Sequence, residues 1–185
     1  MRRDLVERAM AGDHDAFSEL ARGAIGRLYA AARLILRDDA GAEDATQEAL
    51  VAAWRDLSAL RDPDRFEAWL HRLLVRACLR EARRGRRRWT MEREVRPTRT
   101  GEADPAIDLA DRDELARGFA RLQPDQRAVI VLHHYLGLSL DEVAAVMAVP
   151  PGTARSRLHR ATRVMRAAIE ADARSTRILD EGRLA

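Results

Sequence analysis

The sequence predicts an all-α protein made of two small helical domains joined by a flexible linker. Apolar residues recur at helical spacing over residues 4–88 and again over residues 111–171, which is the pattern of helices with one buried face. No segment alternates polar and apolar residues as a half-buried strand does. Residues 89–110 contain two prolines, a glycine, mixed charges and little periodicity, a composition typical of a linker.

The first block divides into three longer helices, with short breaks at residues 37–39 and 61–63. The first of these helices has an apolar face that we expect to be buried, formed by Phe17, Leu20, Ile25, Leu28, Ala31 and Ile35. The second helix has small residues on the side that should pack, at Ala45, Ala49, Ala52 and Ala53. The third helix has a core stripe of Phe66, Trp69, Leu70, Leu73 and Ala77, and it ends with five arginines within residues 83–88.

The second block contains a helix-turn-helix signature. Ser139, followed three residues later by Glu142, is a capping box that starts a helix. The prolines and glycine at residues 150–152 end that helix, and Pro151 is tolerated in the first turn of the next one. From residue 143 to residue 169 the chain has five arginines and no acidic residue. A short helix, a tight turn and a basic helix are typical of DNA-reading units.

The basic helix of this unit has two distinct faces. Its expected core face consists of Ala154, Leu158, Ala161, Met165, Ala168 and Ile169. The residues on the opposite side of its first turns are positioned to reach base edges or phosphates in a major groove, and they are Arg155, Ser156, His159 and Arg160. Arg163 and Arg166 lie further along the helix, where phosphate or solvent is the expected neighbour.

Composition excludes several other functions. Cys78 is the only cysteine, so the chain can form neither an internal disulfide nor a thiolate metal cluster, and no metal or cofactor is expected. Because the net charge is only +3, the positive charge must act locally. No apolar run approaches the roughly 20 residues that span a bilayer, and the N-terminus lacks the apolar stretch of a signal peptide. We therefore expect a cytoplasmic protein without membrane insertion.

Two motifs resemble bacterial RNA polymerase sigma factors of the extracytoplasmic-function class of the sigma-70 family. Residues 43–54 (EDATQEALVAAW) resemble region 2.2 of that family. Residues 122–130 (LQPDQRAVI) and 152–161 (GTARSRLHRA) resemble region 4 and its recognition helix. A Phe-x-x-Trp-Leu segment at residues 66–70 falls between them at the family's spacing. The resemblance covers about residues 4–170, nearly the whole chain.

The resemblance implies a sigma factor that binds core RNA polymerase and directs it to promoter DNA. Residues 4–88 match region 2, residues 89–110 a linker and residues 111–171 region 4. Asp44, Gln47 and Glu48 match positions that dock on the clamp helices of the largest polymerase subunit. Region 4 is implied to lie near the flap of the second-largest subunit. The family also implies regulation by a separate anti-sigma protein.

The resemblance also implies two DNA contacts. The helix from Phe66 onward would meet the minus-10 element, with arginines at Arg76, Arg80, Arg83, Arg84 and Arg87 available to bind phosphate. Arg155, Ser156, His159 and Arg160 match positions that contact the minus-35 element. Arg76 and Arg80 depart from the pattern, because many relatives have Asn and, four residues later, Asp at these places. The two arginines predict more phosphate binding or an unusual minus-10 sequence.

Two other classes of protein are considered. A stand-alone helix-turn-helix transcription regulator fits the second block nearly as well. It does not account for the first block, which has no sign of a receiver or ligand domain. An enzyme is the second alternative. The sequence contains no Gly-rich phosphate loop, nucleophile motif or paired-carboxylate site, so we expect neither enzymatic activity nor a small-molecule substrate.

Overall fold

The computed structural model describes residues 2–92 and 109–181, and it describes the side chains of residues 3–85 and 115–171. Within these ranges the secondary structure is entirely helical, which confirms the predicted all-α class. An N-terminal block contains α1 (Arg2–Met10), α2 (His14–Leu36), α3 (Asp39–Asp56) and α4 (Phe66–Glu92). A C-terminal block contains α5 (Leu109–Ala120), α6 (Pro124–Ile130), α7 (Leu140–Met147) and α8 (Pro151–Glu181).

A tight turn sets the angle between α2 and α3. Arg37 ends α2 in the left-handed conformation with φ 59°, and its backbone N–H donates to the Arg33 carbonyl at 2.8 Å. Asp38 then begins α3, because its carboxylate accepts the N–H of Gly41 at 3.1 Å. A Cβ at Gly41 would lie 2.7 Å from that carboxylate. A side chain at position 41 would therefore push the Asp38 carboxylate out of its capping position at the start of α3.

Small residues allow α3 to pack closely against α2 and α4. Ala45, Ala49 and Ala53 recur every four residues along α3 and are at most 1% exposed. The facing stripe of α4 is buried at Phe66, Leu70, Leu74, Ala77 and Cys78. The predicted core faces are thus confirmed in both helices, with Trp69 and Leu73 of α4 partly buried against the core. The core prediction is wrong for Ile25, which is 48% exposed because Ala24 and Leu28 take the buried side of α2.

The predicted helix-turn-helix is present in the C-terminal block. The Ser139 hydroxyl accepts the N–H of Glu142 at 3.3 Å, and the Glu142 carboxylate accepts the N–H of Ser139 at 2.8 Å, which confirms the capping box. α7 ends at Ala148, which adopts the left-handed conformation with φ 53°. The Pro150 carbonyl then accepts the N–H of Thr153 at 2.9 Å at the start of α8. The turn thus lies ahead of the two prolines, and Gly152 belongs to α8.

Helix covers more of the chain than the sequence analysis suggested. α4 continues to Glu92 and α5 begins at Leu109, so both ends of the expected linker are helical. The rest of that prediction, residues 93–108, falls outside the described residues. α8 runs to Glu181, ten residues beyond the expected end of the second block.

The two blocks pack directly against each other. α4 contacts α7, and α2 contacts α6 and the π-helical turn Val131–Tyr135 that follows it. The buried residues of both blocks form one continuous hydrophobic cluster. Charge is also present at this seam: hydrogen bonds from Ser139, and to a smaller extent the charge of Arg65 in the other block, lower the pKa of Glu142.

Two arginines lie close enough across the seam for their charges to repel, and neither has an acidic partner among the described residues. Arg37 ends α2 and Arg127 lies in α6. The Arg127 Nε atom is buried and has no hydrogen-bond partner. Burial, together with the positive charge of Arg37, lowers the pKa of Arg127 to about 10. The charged form of Arg127 is therefore disfavoured in the folded protein, and the seam is destabilised at neutral pH.

Replacing Arg127 with Met is expected to raise the free energy of unfolding at pH 7. The gain should be about 1 kcal/mol once the remaining solvent contact of the guanidinium is allowed for. Because the pKa of Arg127 is lowered in the folded state, its charge destabilises the folded protein at pH values below about 10. This destabilisation is lost as the pH rises toward the ordinary arginine pKa. Urea unfolding followed by circular dichroism measures the change. Arg121→Met, at an exposed arginine after α5, is the control. An unfolding midpoint for Arg127→Met below that of wild type would show that Arg127 stabilises the folded protein.

Candidate functional site

An exposed stripe along α3 carries both polar and apolar side chains. Asp44 and Gln47 are exposed, as expected for a docking surface. Val51 and Trp54 continue the same stripe, at helical spacings of four and three residues, and they are 59% and 36% exposed. Together these four residues form the docking stripe. Val51 was not singled out from sequence, since a lone apolar residue among alanines gives no sign of which side of the helix will be covered.

Two aromatic side chains of α2 pack against Trp54, the last residue of the docking stripe. The Trp54 ring lies 4.4 Å from the His14 ring and 5.0 Å from the Phe17 ring, measured between centroids. Both neighbours belong to the first turn of α2, which Asp13 caps by accepting the N–H groups of Asp15 and Ala16 at 3.0 Å. Trp54 is thus fixed on the α2 side and leaves part of its ring in solvent. A rigid, half-exposed aromatic ring is a suitable anchor for a partner protein.

Glu48 differs from its neighbours on α3 because it faces α4. Its Oε1 atom accepts a hydrogen bond from Arg80 Nη2 at 2.8 Å, and its Oε2 atom lies 4.0 Å from Arg84 Nη1. Arg84 also contacts Glu81, at 3.4 Å. The three predicted residues Asp44, Gln47 and Glu48 therefore lie on one helix but do not form one uniform surface. Sequence reasoning missed the connection between Glu48 and Arg80, which lie 32 positions apart.

The predicted basic face of α4 is present. Arg76, Arg80 and Arg84 recur every four residues and are exposed, as is Arg83 beside them. Arg76 and Arg83 have no acidic partner among the described side chains, so their charge is available to a ligand. Arg87 lies within α4, and its side chain falls outside the described residues.

α8 presents its candidate DNA-contacting residues as predicted. Ala154 and Ala161 are fully buried, and Leu158 and Met165 pack against the core beside them. Arg155, His159 and Arg160 are exposed on the other side of the helix, and Ser156 is half-buried. The first three turns of α8 therefore offer cationic and imidazole groups on a face that the protein leaves uncovered.

Two contacts determine how this face is held. The Ser156 hydroxyl donates to the Thr153 carbonyl at 3.0 Å and accepts from Arg160 Nη2 at 3.3 Å, so Ser156 orients the Arg160 side chain. Arg157 lies on the protein side of α8, where its Nε atom is 3.7 Å from the Asp125 carboxylate of α6. Arg157 thus anchors α8 to α6, a role that periodicity alone did not reveal.

The part of the chain that the structure describes shows no sign of a metal site, a membrane-spanning helix or a reactive cysteine. No three His, Cys, Asp or Glu side chains there are grouped so as to hold a metal ion. None of the described helices is both long enough and apolar enough to cross a membrane. Cys78 is buried, and burial raises the pKa of its thiol to about 12, so the thiol stays protonated at neutral pH and is a packing residue.

Family models match both blocks in the expected order. Residues 20–88 match the model of Sigma-70 region 2, and residues 112–165 match the model of Sigma-70 region 4. The region 2 match contains α3 and the basic face of α4. It favours a sigma factor over the stand-alone regulator, because that alternative left the first block without an explanation.

Individual relatives and solved structures agree with these matches. The chain is 35% identical to the ECF RNA polymerase sigma factor SigM of Mycobacterium tuberculosis, over 85% of this chain and 79% of that protein. It is 32% identical to the ECF RNA polymerase sigma-E factor of Escherichia coli, over 85% and 88% of the two chains.

Among solved structures, CnrH in complex with the cytosolic domain of CnrY matches with a TM-score of 0.65 and 30% identity, over 92% of this chain and 98% of that one. The sigma factor RpoE of Bartonella quintana, in complex with the anti-sigma factor NepR, shares the fold with a TM-score of 0.72 over 84% of this chain and 98% of that one, at 23% identity. The chain therefore belongs to the sigma-70 family of RNA polymerase sigma factors, in its extracytoplasmic-function class.

Proposed function

We propose that this sigma factor works through three surfaces: the docking stripe of α3, the basic face of α4 and the exposed face of α8. As a member of its family it binds core RNA polymerase and directs promoter-specific initiation of transcription. The observation that carries the assignment of surfaces is the exposure of α8. Its buried face is fully used in packing, while Arg155, His159 and Arg160 project from the other side.

The docking stripe is proposed to bind the clamp helices of the largest polymerase subunit. Asp44 and Gln47 offer fixed acceptors to a basic partner helix, which favours orientation and specificity more than raw affinity. Val51 and Trp54 add exposed apolar area beside them. In this proposal Glu48 takes part from the edge of the stripe. The proposed N-terminal unit is residues 4–88 and the proposed linker is residues 89–110, although α4 extends to Glu92 and α5 begins at Leu109.

The basic face of α4 is proposed to bind the minus-10 element. Arg76 and Arg83 are free to bind phosphate, and Arg80 and Arg84 lie between them along the same helix. Arg87 continues the series in sequence. Phosphate contacts give affinity and register with little sequence preference. The arginines at positions 76 and 80, where many relatives have Asn and Asp, therefore shift this helix toward backbone binding.

The exposed face of α8, within a C-terminal unit of residues 111–171, is proposed to bind the minus-35 element in the major groove. Arg155, Ser156, His159 and Arg160 lie in the first turns of the second helix of a helix-turn-helix, where side chains reach base edges. The same block is proposed to approach the flap of the second-largest polymerase subunit.

Simultaneous contact with both promoter elements requires the two blocks to separate. Elements about 25 base pairs apart are roughly 85 Å apart along B-DNA. α4 has 27 residues and is only about 40 Å long, yet it touches α7 directly. The packed arrangement is therefore proposed to be that of the free protein, and it opens on the polymerase.

A separate anti-sigma protein is proposed as a further partner. The solved relatives named above are in complex with the cytosolic domain of CnrY and with the anti-sigma factor NepR. Sigma factors are regulators of transcription rather than catalysts, and we expect this chain to have no enzymatic activity. Its site of action is proposed to be the cytoplasm.

Replacing Arg155 or Arg160 with Ala is expected to weaken promoter-specific binding without abolishing polymerase binding. Loss of an arginine contact to a base should cost about 1–3 kcal/mol, and loss of a phosphate contact less, with little dependence on sequence. Quantitative binding of the holoenzyme to promoter DNA and to a scrambled duplex separates the two cases. Unchanged promoter selectivity in both variants would remove α8 from the minus-35 assignment.

Reversing the charge of Asp44 and Glu48 together is expected to weaken binding to core polymerase by about tenfold or more, equivalent to ~1.4 kcal/mol. Asp44→Arg alone should already show much of the loss, because Asp44 is exposed and forms no ion pair among the described residues. Co-purification with core polymerase and a titration by fluorescence anisotropy measure the effect, with circular dichroism to check the fold. Wild-type affinity in both variants would refute the docking surface.

A further inference from the structure

A single ion pair connects the proposed polymerase-binding helix to the proposed minus-10 helix. Glu48 of α3 accepts a hydrogen bond from Arg80 of α4 at 2.8 Å. The side chains are 37% and 45% exposed, so each remains accessible to a ligand. Arg84 lies one turn further along α4, 4.0 Å from the other oxygen of the same carboxylate. One carboxylate therefore faces two guanidinium groups.

The internal ion pair competes with the external partner of each group. A carboxylate that docks on a basic helix of the polymerase gives up some or all of its contact with Arg80. A guanidinium that binds a DNA phosphate is in turn drawn away from Glu48. Arg84 has a second acidic neighbour in Glu81, at 3.4 Å. Arg80, rather than Arg84, is therefore the arginine that depends most on Glu48.

We propose that Glu48 is a positioning residue that couples the two binding events: it holds Arg80 in the free protein and releases it to DNA when the docking stripe binds the polymerase. The inference rests on the proposed function, since it assigns α3 to the polymerase and α4 to DNA. It adds that docking and DNA binding favour each other through one ion pair. Such coupling is reciprocal by thermodynamic necessity, so DNA binding must raise the affinity for the polymerase by the same factor.

The size of the effect follows from the exposure of the pair. Exposed ion pairs are weak, and we expect a coupling of about two- to fivefold. Release of one arginine to phosphate should also steepen the dependence of the DNA association constant on salt, by about 0.7–0.9 in the slope of the double-logarithmic plot. The slope counts phosphate contacts, so a structural disturbance of the helix does not produce this increase.

The test uses the full chain with Glu48→Gln, Arg80→Gln and the double variant. Two quantities are measured by fluorescence anisotropy for each protein: its affinity for purified core RNA polymerase, and its affinity for a fluorescent promoter-strand oligonucleotide as a function of salt. Glu48→Gln should bind the oligonucleotide two- to fivefold more tightly, with a steeper salt slope. Arg80→Gln should bind core polymerase two- to fivefold more tightly, although it removes a residue of the DNA-binding helix.

Two controls separate this coupling from a general effect of charge. Glu19→Gln and Arg22→Gln remove one charge of each sign from exposed positions on α2, away from the pair. Neither should reproduce the gain of its counterpart. In the double variant the effect of Glu48→Gln on the salt slope should disappear, because Arg80 is no longer there to be released.

The outcomes also separate this inference from the proposed function. If the wild-type protein binds the polymerase and DNA but the two substitutions act additively, with no gain in polymerase affinity for Arg80→Gln, the inference is wrong and the proposed function stands. If the wild-type protein binds neither partner, both are overturned. The coupling is supported if the DNA affinity gained by Glu48→Gln and the polymerase affinity gained by Arg80→Gln are both absent in the double variant.

Discussion

Alanine side chains at positions 45, 49 and 53 are buried and let α3 lie close against its neighbours α2 and α4, and both candidate surfaces of the N-terminal block depend on this packing. Because the buried side of α3 is occupied by alanines, its polar side turns outward as the docking stripe. Because the apolar stripe of α4 is used in the same contact, its arginines are left in solvent. The packing thus fixes the relative positions of two surfaces that are proposed to bind different partners, and it brings Glu48 within hydrogen-bond distance of Arg80.

In the C-terminal block, too, buried alanines fix the orientation of a helix. Burial of Ala154 and Ala161 fixes the rotation of α8, and the Arg157–Asp125 contact holds it to α6. The seam between the blocks also contains an unfavourable electrostatic interaction. It combines an apolar contact with a pair of positive charges, Arg37 and Arg127, that has no acidic partner among the described residues. A seam that contains unpaired positive charge agrees with the proposal that the two blocks separate on the polymerase.

Local signals made most of this fold predictable from sequence. The Ser139 capping box and the apolar stripes of α4 and α8 depend on residues a few positions apart, and the structure confirms them. The stripe of α2 is confirmed except at Ile25, and α7 ends at Ala148, ahead of the prolines that were predicted to end it. Features that depend on distant residues were not predictable. The Glu48–Arg80 pair, the meeting of Arg37 with Arg127 and the exposure of Ile25 are decided by how helices pack. Periodicity predicts that a face is buried, but it does not reveal which helix covers it.

Run-off transcription tests directly whether this protein directs core RNA polymerase to promoters. Purified core polymerase is incubated with genomic fragments from the source organism, with and without this protein. Discrete start sites that appear only when the protein is added are the expected result, and their alignment gives the two promoter elements. Specific DNA binding without new start sites, and without a complex with core polymerase, would contradict the account and would make the chain a stand-alone regulator.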